Sequence, residues 1–239
     1  MKVIGNIRGS VDKLHQYYGT YRLDDAMNHV YSEMVQFDYI RESSVLFQSL
    51  TSICSTPSIQ QEVSPYIILP STWDLYLESL ERTDRKELKR KMKRLETVAH
   101  SFRYINQSKI ESDFDEFINL HKLSDHSKDQ FMTDPMKLFF RDLLFLHIPG
   151  WQQKLAFLDI EGKSAAAILY FENDSEILLY NSGYDPVQKF YSAGLLLVAE
   201  LIKKSIEEKK QKFDFLRGNE RYKYDLGATD EKLYRFLFD

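Results

Sequence analysis

The spacing of apolar positions changes character along the chain, and the change divides it. In residues 64–70 the run SPYIILP reads as a short buried strand closed by Pro70, and Ser71-Thr72 behind it is a helix-cap signal. Trp73, Tyr76, Leu77 and Leu80 then share one face at helical spacing, and Leu88, Met92 and Leu95 share another. Asp84-x-x-Glu87 between them resembles a capping box, so the spacing predicts two helices or one bent helix. Residues 102–105 predict a strand and 114–123 a helix. Residues 135–147 predict another helix, with Pro135 in the first turn, where its missing N–H leaves no acceptor unserved. Upstream, 24–34 predict a helix capped by Asp24, with Ala26, Val30 and Met34 on one face. The rest of the first 60 residues carries no clear period.

From Gln153 onward the period shortens to that of strands. KLAFLDI, AAAILYF and EILLYNSGY are separated by turn signals at Gly162 and at Asn173-Asp174, which predicts a three-strand antiparallel meander. After DPVQKFYS, the set Leu195, Val198, Ala199, Ile202 and Ile206 returns to helical spacing and ends in the charged run EEKKQK, a helix of about four turns. FDFL at 213–216 predicts a strand, RGNERYKYDLGA a long polar loop, and LYRFLF at 233–238 a final strand. The order β-β-β-α-β-loop-β is that of an α+β protein. No internal repeat and no low-complexity linker interrupts it.

Composition adds boundaries. A chain of 239 residues, 43% hydrophobic, with 15 Tyr and 16 Phe, has ample surface for a core and fits one large domain or one domain with a smaller appendage. Its longest apolar stretch, residues 193–202, is about half the roughly 20 residues of a membrane span and contains Glu200. No transmembrane helix is expected. The opening MKVIGNIRGSVDK lacks an apolar core of signal-peptide length, and Cys54 has no second cysteine to pair with, so the expected location is cytoplasmic. The His and Cys residues show no metal-ligand spacing, and no metal is expected. The lack of a Gly-x-Ser-x-Gly elbow removes the usual serine-hydrolase reading.

The net charge of -4 conceals residues 82–94, RTDRKELKRKMKR, with eight basic and two acidic side chains, a segment at +6 against -10 for the remainder. It reads either as a solvated helix face or as a grip on phosphates of a lipid-linked sugar, an anionic membrane surface or a tRNA. No aromatic residues interleave with the charges, which argues against a single-stranded nucleic-acid platform. His121, His126 and His147 read as structural or solvent-facing.

The helix after the third meander strand opens with a glycine. Backbone N–H groups at such a mouth, with the positive end of the helix dipole, attract a pyrophosphate, and glycine permits close approach. Ser192, Gly194, Leu195 and Leu196 are the expected contributors, with Tyr191 just before them. The competing reading makes Ser192 an ordinary cap and Gly194 a packing residue.

Several segments in order carry a resemblance: SPYIILPSTWDLYLESL, the basic RKELKRKMKRLE, LHKLSDHSKDQFM, LYNSGYDP, Ser192-Ala193-Gly194, and FDFLRGNERYKYDLGA. Over residues 64–239 the chain resembles the GNAT-fold acetyltransferases, specifically the CelD-like proteins of cellulose and exopolysaccharide biosynthesis, and is distantly similar to the Fem peptidyltransferases. The resemblance implies a GNAT fold, a mixed, mostly antiparallel sheet flanked by helices. It implies acyl transfer from a thioester, commonly acyl-CoA and here acetyl-CoA, to an amine or sometimes a hydroxyl. It divides the chain into residues 61–239, a GNAT-like domain, and residues 1–60, a partial segment comparable to the tail of a first GNAT half.

By the same resemblance, Tyr180 to Gly183 form the donor-side strand and Phe213 to Leu216 its neighbour, making Tyr180 and Asp214 substrate-side residues. Tyr222 is the candidate to protonate the departing thiolate, or else one packed aromatic among many. Lys223 and Arg217 are candidates for an anionic group on the substrate, or else solvated loop charges or ion-pair partners of Asp214, Glu220 or Asp225. Asp185 is the carboxylate candidate for base catalysis, although Asp-Pro is also a turn-former. The chain departs from the usual phosphate loop, because Tyr191-x-x-Gly194-x-Leu196 lacks the leading Gln or Arg and the second small residue. Expected partners are therefore a small-molecule donor and acceptor, with an anionic sugar or lipid-linked acceptor in view. The alternatives are a Fem-like use of aminoacyl-tRNA on a peptidoglycan or exopolysaccharide precursor, and a non-catalytic degenerate GNAT module.

Overall fold

The computed structural model describes residues 2–3, 35–105 and 110–238. In chain order the elements are β1 (Lys2–Val3), β2 (Val35–Arg41), α1 (Val45–Ile53), β3 (Ile59–Ile68), α2 (Trp73–Ser79), α3 (Arg82–Leu95) and β4 (His100–Ile105). Then come α4 (Ile110–Ser124), α5 (His126–Phe131), α6 (Asp134–Phe145), β5 (Gln152–Ile160), β6 (Lys163–Glu172) and β7 (Glu176–Tyr184). A 3-10 turn, Pro186–Tyr191, leads into α7 (Ala193–Glu207), followed by β8 (Lys212–Asp214), α8 (Arg221–Asp225) and β9 (Thr229–Phe238). The helix expected at 24–34 lies outside the described residues.

The chain forms two compact units, one from residues 1–66, 216–220 and 229–239, the other from 67–215 and 221–228. In the first, β9 pairs antiparallel with β2 on one side and with β3 on the other, and β1 runs parallel to β2. The Ser44 hydroxyl accepts the Phe47 N–H to start α1, which buries Leu50 against Ile40 and Phe236. Arg41 and Glu231 form a buried ion pair inside this unit, and the Arg41 guanidinium also donates to the Ser64 hydroxyl at 2.8 Å.

The second unit carries the meander. β4, β5, β6 and β7 pair antiparallel in that order, and β8 pairs parallel with β7. Period-two alternation sorts the strands into two faces. Ala156, Leu158 and Ile160 of β5 and Ala166, Ile168 and Tyr170 of β6 share a core with α2, α3 and α7. Leu155, Phe157, Ala167 and Leu169 share the other with α4 and α6. Helix α7 buries nine residues, including Leu197 and Leu201 outside the expected stripe, because it covers the middle of the sheet. At roughly 1.5–3 kcal/mol for each large apolar side chain, this helix is a principal anchor of the unit.

Three expectations are corrected. Asp84 and Glu87 do not form a capping box, because the helix begins earlier, with Glu81 as N-cap and no side-chain cap bond. Glu87 instead pairs along the helix with Arg90 at 2.6 Å and Lys91 at 3.5 Å, the partners that helical spacing brings to it. The strand expected at 213–216 ends at Asp214, since Leu216 turns left-handed at φ 57°. The polar loop after it contains α8, so Tyr222 and Lys223 stand on a helix. The pair α2 and α3, the Thr72 cap, the meander and the four-turn helix are as the spacing predicts. Among the described residues no helix is long and apolar enough to cross a membrane.

Candidate functional site

The turn into α7 is built by Asp185. Its carboxylate accepts the Val187 N–H at 2.9 Å and starts the 3-10 turn, the turn-forming role that Asp-Pro sequences commonly have. Ser192 ends that turn and opens α7 in a left-handed conformation, φ 54° and ψ 41°, and its hydroxyl makes no cap hydrogen bond. Its N–H already donates to Lys189 O at 3.1 Å, and its carbonyl accepts the Leu196 N–H at 3.0 Å. Ser192 and Leu196 therefore do not supply the amides expected of them. The first-turn amides without an intrahelical acceptor belong to Ala193, Gly194 and Leu195. The Leu196 side chain is buried in the core, Leu195 is half-buried, and Tyr191 stands edge-on to Phe190 at 5.2 Å.

Gly194 is not required by packing. A Cβ built there would lie 3.5 Å from the Tyr184 ring, an ordinary contact, and its backbone is helical. Gly183 is the opposite case, because a Cβ there would lie 2.3 Å from the His121 backbone nitrogen. Helix α4 thus rests directly on β7 at Gly183.

Next to this contact β7 is irregular. Leu169 pairs with Asn181 and Tyr170 with Leu179, leaving Tyr180 as the extra residue of a bulge. The bulge turns two consecutive side chains toward α4 and α6: the Tyr180 ring packs on Phe140 at 5.7 Å, and Asn181 bonds the His121 side chain. Asn181 Oδ1 also accepts the Ser182 N–H at 2.8 Å, while Lys128 Nζ donates to Ser182 O at 2.7 Å. The register of β8 with β7 covers only Glu176, Ile177 and Leu178. Beyond Leu178 the two strands are no longer paired, and the bulge lies just past that point.

His121 went unrecognised in the sequence as part of this region. It is buried among Phe117, Phe131 and Phe140, and its Nδ1 has no hydrogen-bond partner. Burial, with the Lys128 ammonium nearby, pushes its pKa down to about 4 against an opposing pull from Asn181. The ring is therefore neutral at pH 7. Only the i, i+4 relation of His121 to Phe117 hinted at this, and a lone histidine on an apolar face carries little information.

The remaining candidates separate. Asp214 is fully buried at the end of β8, with Lys212 Nζ 3.3 Å away. Lys223, expected on a solvated loop in one reading, is 2% exposed on α8. The Tyr222 ring meets Phe215 edge-on at 6.1 Å and is half-buried. Arg217 belongs to the first unit, where it pairs with Glu62 at 3.1 Å and lies over the Tyr39 ring at 4.4 Å. A cavity of about 420 Å³ lined by Trp151, Gln153, Glu172, Asn173 and Lys210 lies where β7 begins, at the opposite end of that strand from Tyr184, and holds none of these residues. Among the described residues no cluster of His, Cys, Asp and Glu could hold a metal ion.

Comparison with known proteins agrees with this architecture. Residues 82–224 match the family model of the acetyltransferase (GNAT) domain. The fold is similar to the crystal structure of FemX, with a TM-score of 0.64 and 12% identity over 90% of this chain and 75% of that one. It is similar to the C-terminal domain of a protein described as a lysylphosphatidylglycerol synthetase from Agrobacterium fabrum, with a TM-score of 0.63 and 13% identity over 91% and 71% of the two chains. A protein of unknown function from Bacteroides thetaiotaomicron gives a TM-score of 0.62 and 13% identity over 91% and 73%. No curated protein matches the sequence.

Proposed function

Because the chain belongs to the acetyltransferase (GNAT) domain family and is an N-acyltransferase, we propose that it transfers an acetyl group from acetyl-CoA to an amino group of a small or cell-envelope sugar-type acceptor. Within the family the reading is of a cytoplasmic CelD-like enzyme of polysaccharide biosynthesis. The amides of Ala193, Gly194 and Leu195 receive the donor's pyrophosphate, and the dipole of α7 adds to their attraction. The thioester carbonyl sits beside the Tyr180 bulge, where β7 runs on past its pairing with β8, and a backbone N–H of this fold position would stabilise the developing oxyanion. The acceptor nitrogen attacks the carbonyl carbon, the C–S bond breaks, and the Tyr222 phenol gives its proton to the departing thiolate. The proton shed by the new amide nitrogen restores the phenol through solvent.

The observation that carries this reading is the space at Gly194. A glycine in the first turn of a helix costs stability relative to alanine, yet a Cβ there would meet only ordinary contacts. Neither packing nor backbone conformation explains the residue, whereas a phosphate lying against the helix mouth does. Isothermal calorimetry with acetyl-CoA, with Gly194→Glu as the control, is the test. A folded protein that takes up no acetyl-CoA sinks the proposal.

A second reading, with aminoacyl-tRNA as donor and a peptidoglycan or exopolysaccharide precursor as acceptor, draws on Tyr191 and on Leu196, whose side chain is committed to the core where the usual loop has a small residue. Retention of aminoacyl-tRNA without acetyl-CoA uptake would favour it, and tRNA binding insensitive to salt would count against it.

A further inference from the structure

Two surface features unused by the acyl-transfer reading adjoin one another. In the 3-10 turn Pro186–Tyr191, Val187 is 85% exposed and Phe190 64% exposed. Residues three apart eclipse in a 3-10 helix, so the two side chains form one apolar prong. The prong is braced, because Asp185 caps its start at 2.9 Å and Arg94 of α3 both donates to Phe190 O at 2.7 Å and lies 4.6 Å over the Phe190 ring.

Helix α3 supplies the second feature. Arg82, Lys86, Lys89 and Lys93 follow one another at spacings of four, three and four, which puts them on a single face. All four are exposed and none forms an ion pair among the described residues, while Glu87 is engaged by Arg90 and Lys91. A solvated helix face accounts for the lysines but not for an exposed valine on the turn that Arg94 ties to the same helix.

We propose that this surface docks on an anionic lipid bilayer, with the α3 stripe against the headgroups and Val187 and Phe190 inserted at their base. Charge complementarity selects the partner, since basic residues near an anionic leaflet and apolar side chains at its boundary act together. A nucleic acid would use the stripe but has no place for Val187, and the Phe190 face that could stack a base is covered by Arg94. The surface does not depend on which donor the enzyme uses.

Co-sedimentation of the full chain with phosphatidylcholine vesicles, with and without phosphatidylglycerol, tests this. Binding is expected only to the vesicles containing phosphatidylglycerol, and added salt should weaken it. Lys89→Glu with Lys93→Glu should lower the partition at least about 25-fold, from roughly fivefold per basic residue lost. Val187→Ser should lower it about fivefold while leaving thermal unfolding and acetyl-CoA uptake as in the parent. Absence of binding by the folded parent, equal binding to both vesicles, or indifference to Val187→Ser would overturn the proposal. So would displacement of the vesicles by tRNA whose own binding is lost in the lysine variant and kept in Val187→Ser.

Discussion

The backbone of His121 crosses Gly183 so closely that a Cβ on Gly183 would lie 2.3 Å from the His121 nitrogen and 2.4 Å from its Cα. The atoms met are backbone, which cannot rotate away. Overpacking typically costs 1–3 kcal/mol, and here α4 would have to leave β7. Gly183→Ala should lose about 3 kcal/mol or more in urea unfolding, and a loss under 1 kcal/mol would refute the close contact.

Gly194 should behave in the reverse way. With a Cβ meeting only the Tyr184 ring at 3.5 Å, Gly194→Ala should leave stability unchanged or raise it by up to about 1 kcal/mol. Its affinity for acetyl-CoA should fall about tenfold, or ~1.4 kcal/mol. Thermal unfolding and calorimetry on one sample separate the two effects.

Tyr222→Phe keeps the ring that meets Phe215 and removes only the hydroxyl. If the phenol protonates the thiolate, kcat should fall about 100-fold with KM and unfolding little changed. An unchanged kcat would leave Tyr222 as a packing residue.

His121 sets an acid limit on stability. Its pKa is about 4 in the folded chain, below its ordinary value near 6.5. Above about 6.5 the ring is neutral in both states and nothing is lost. As pH falls toward 4 the unfolded state takes up a proton that the folded state does not, and up to about 3 kcal/mol is forfeited. His121→Gln, which does not titrate, should flatten the urea midpoint between pH 6.5 and 4, and an unaltered slope would assign the acid limb to other groups.

Glu231→Gln should destabilise the first unit by about 3–5 kcal/mol, because it leaves the buried Arg41 guanidinium without its counter-charge. Arg41→Met with Glu231→Leu should recover most of that loss. A single variant as stable as the parent would contradict the pairing.

Several of these residues could not have been singled out in advance. The bulge at Tyr180 breaks no apolar alternation in EILLYNSGY, so nothing in the string shows that Tyr180 and Asn181 turn to the same side. Gly183 and Gly194 are each one glycine in a row of letters. Only the neighbours, a helix backbone in one case and open contact distance in the other, give them different meanings. Lys223 read as a loop charge because α8 is five residues of tyrosine and charge, too short to show a period.

By itself the sequence determined the period-two meander, the Thr72-capped helix after Pro70 and the four-turn helix behind a glycine, since these depend on spacing within a dozen residues. It also determined the GNAT family, through ordered motifs over residues 64–239, of which 82–224 match the family model. Tertiary structure decided which amides of the helix mouth remain without acceptors, where β7 and β8 separate, and that His121 and Lys223 are buried. Those depend on atoms brought together from distant parts of the chain, and burial and hydrogen-bond occupancy are properties of that meeting rather than of any one residue.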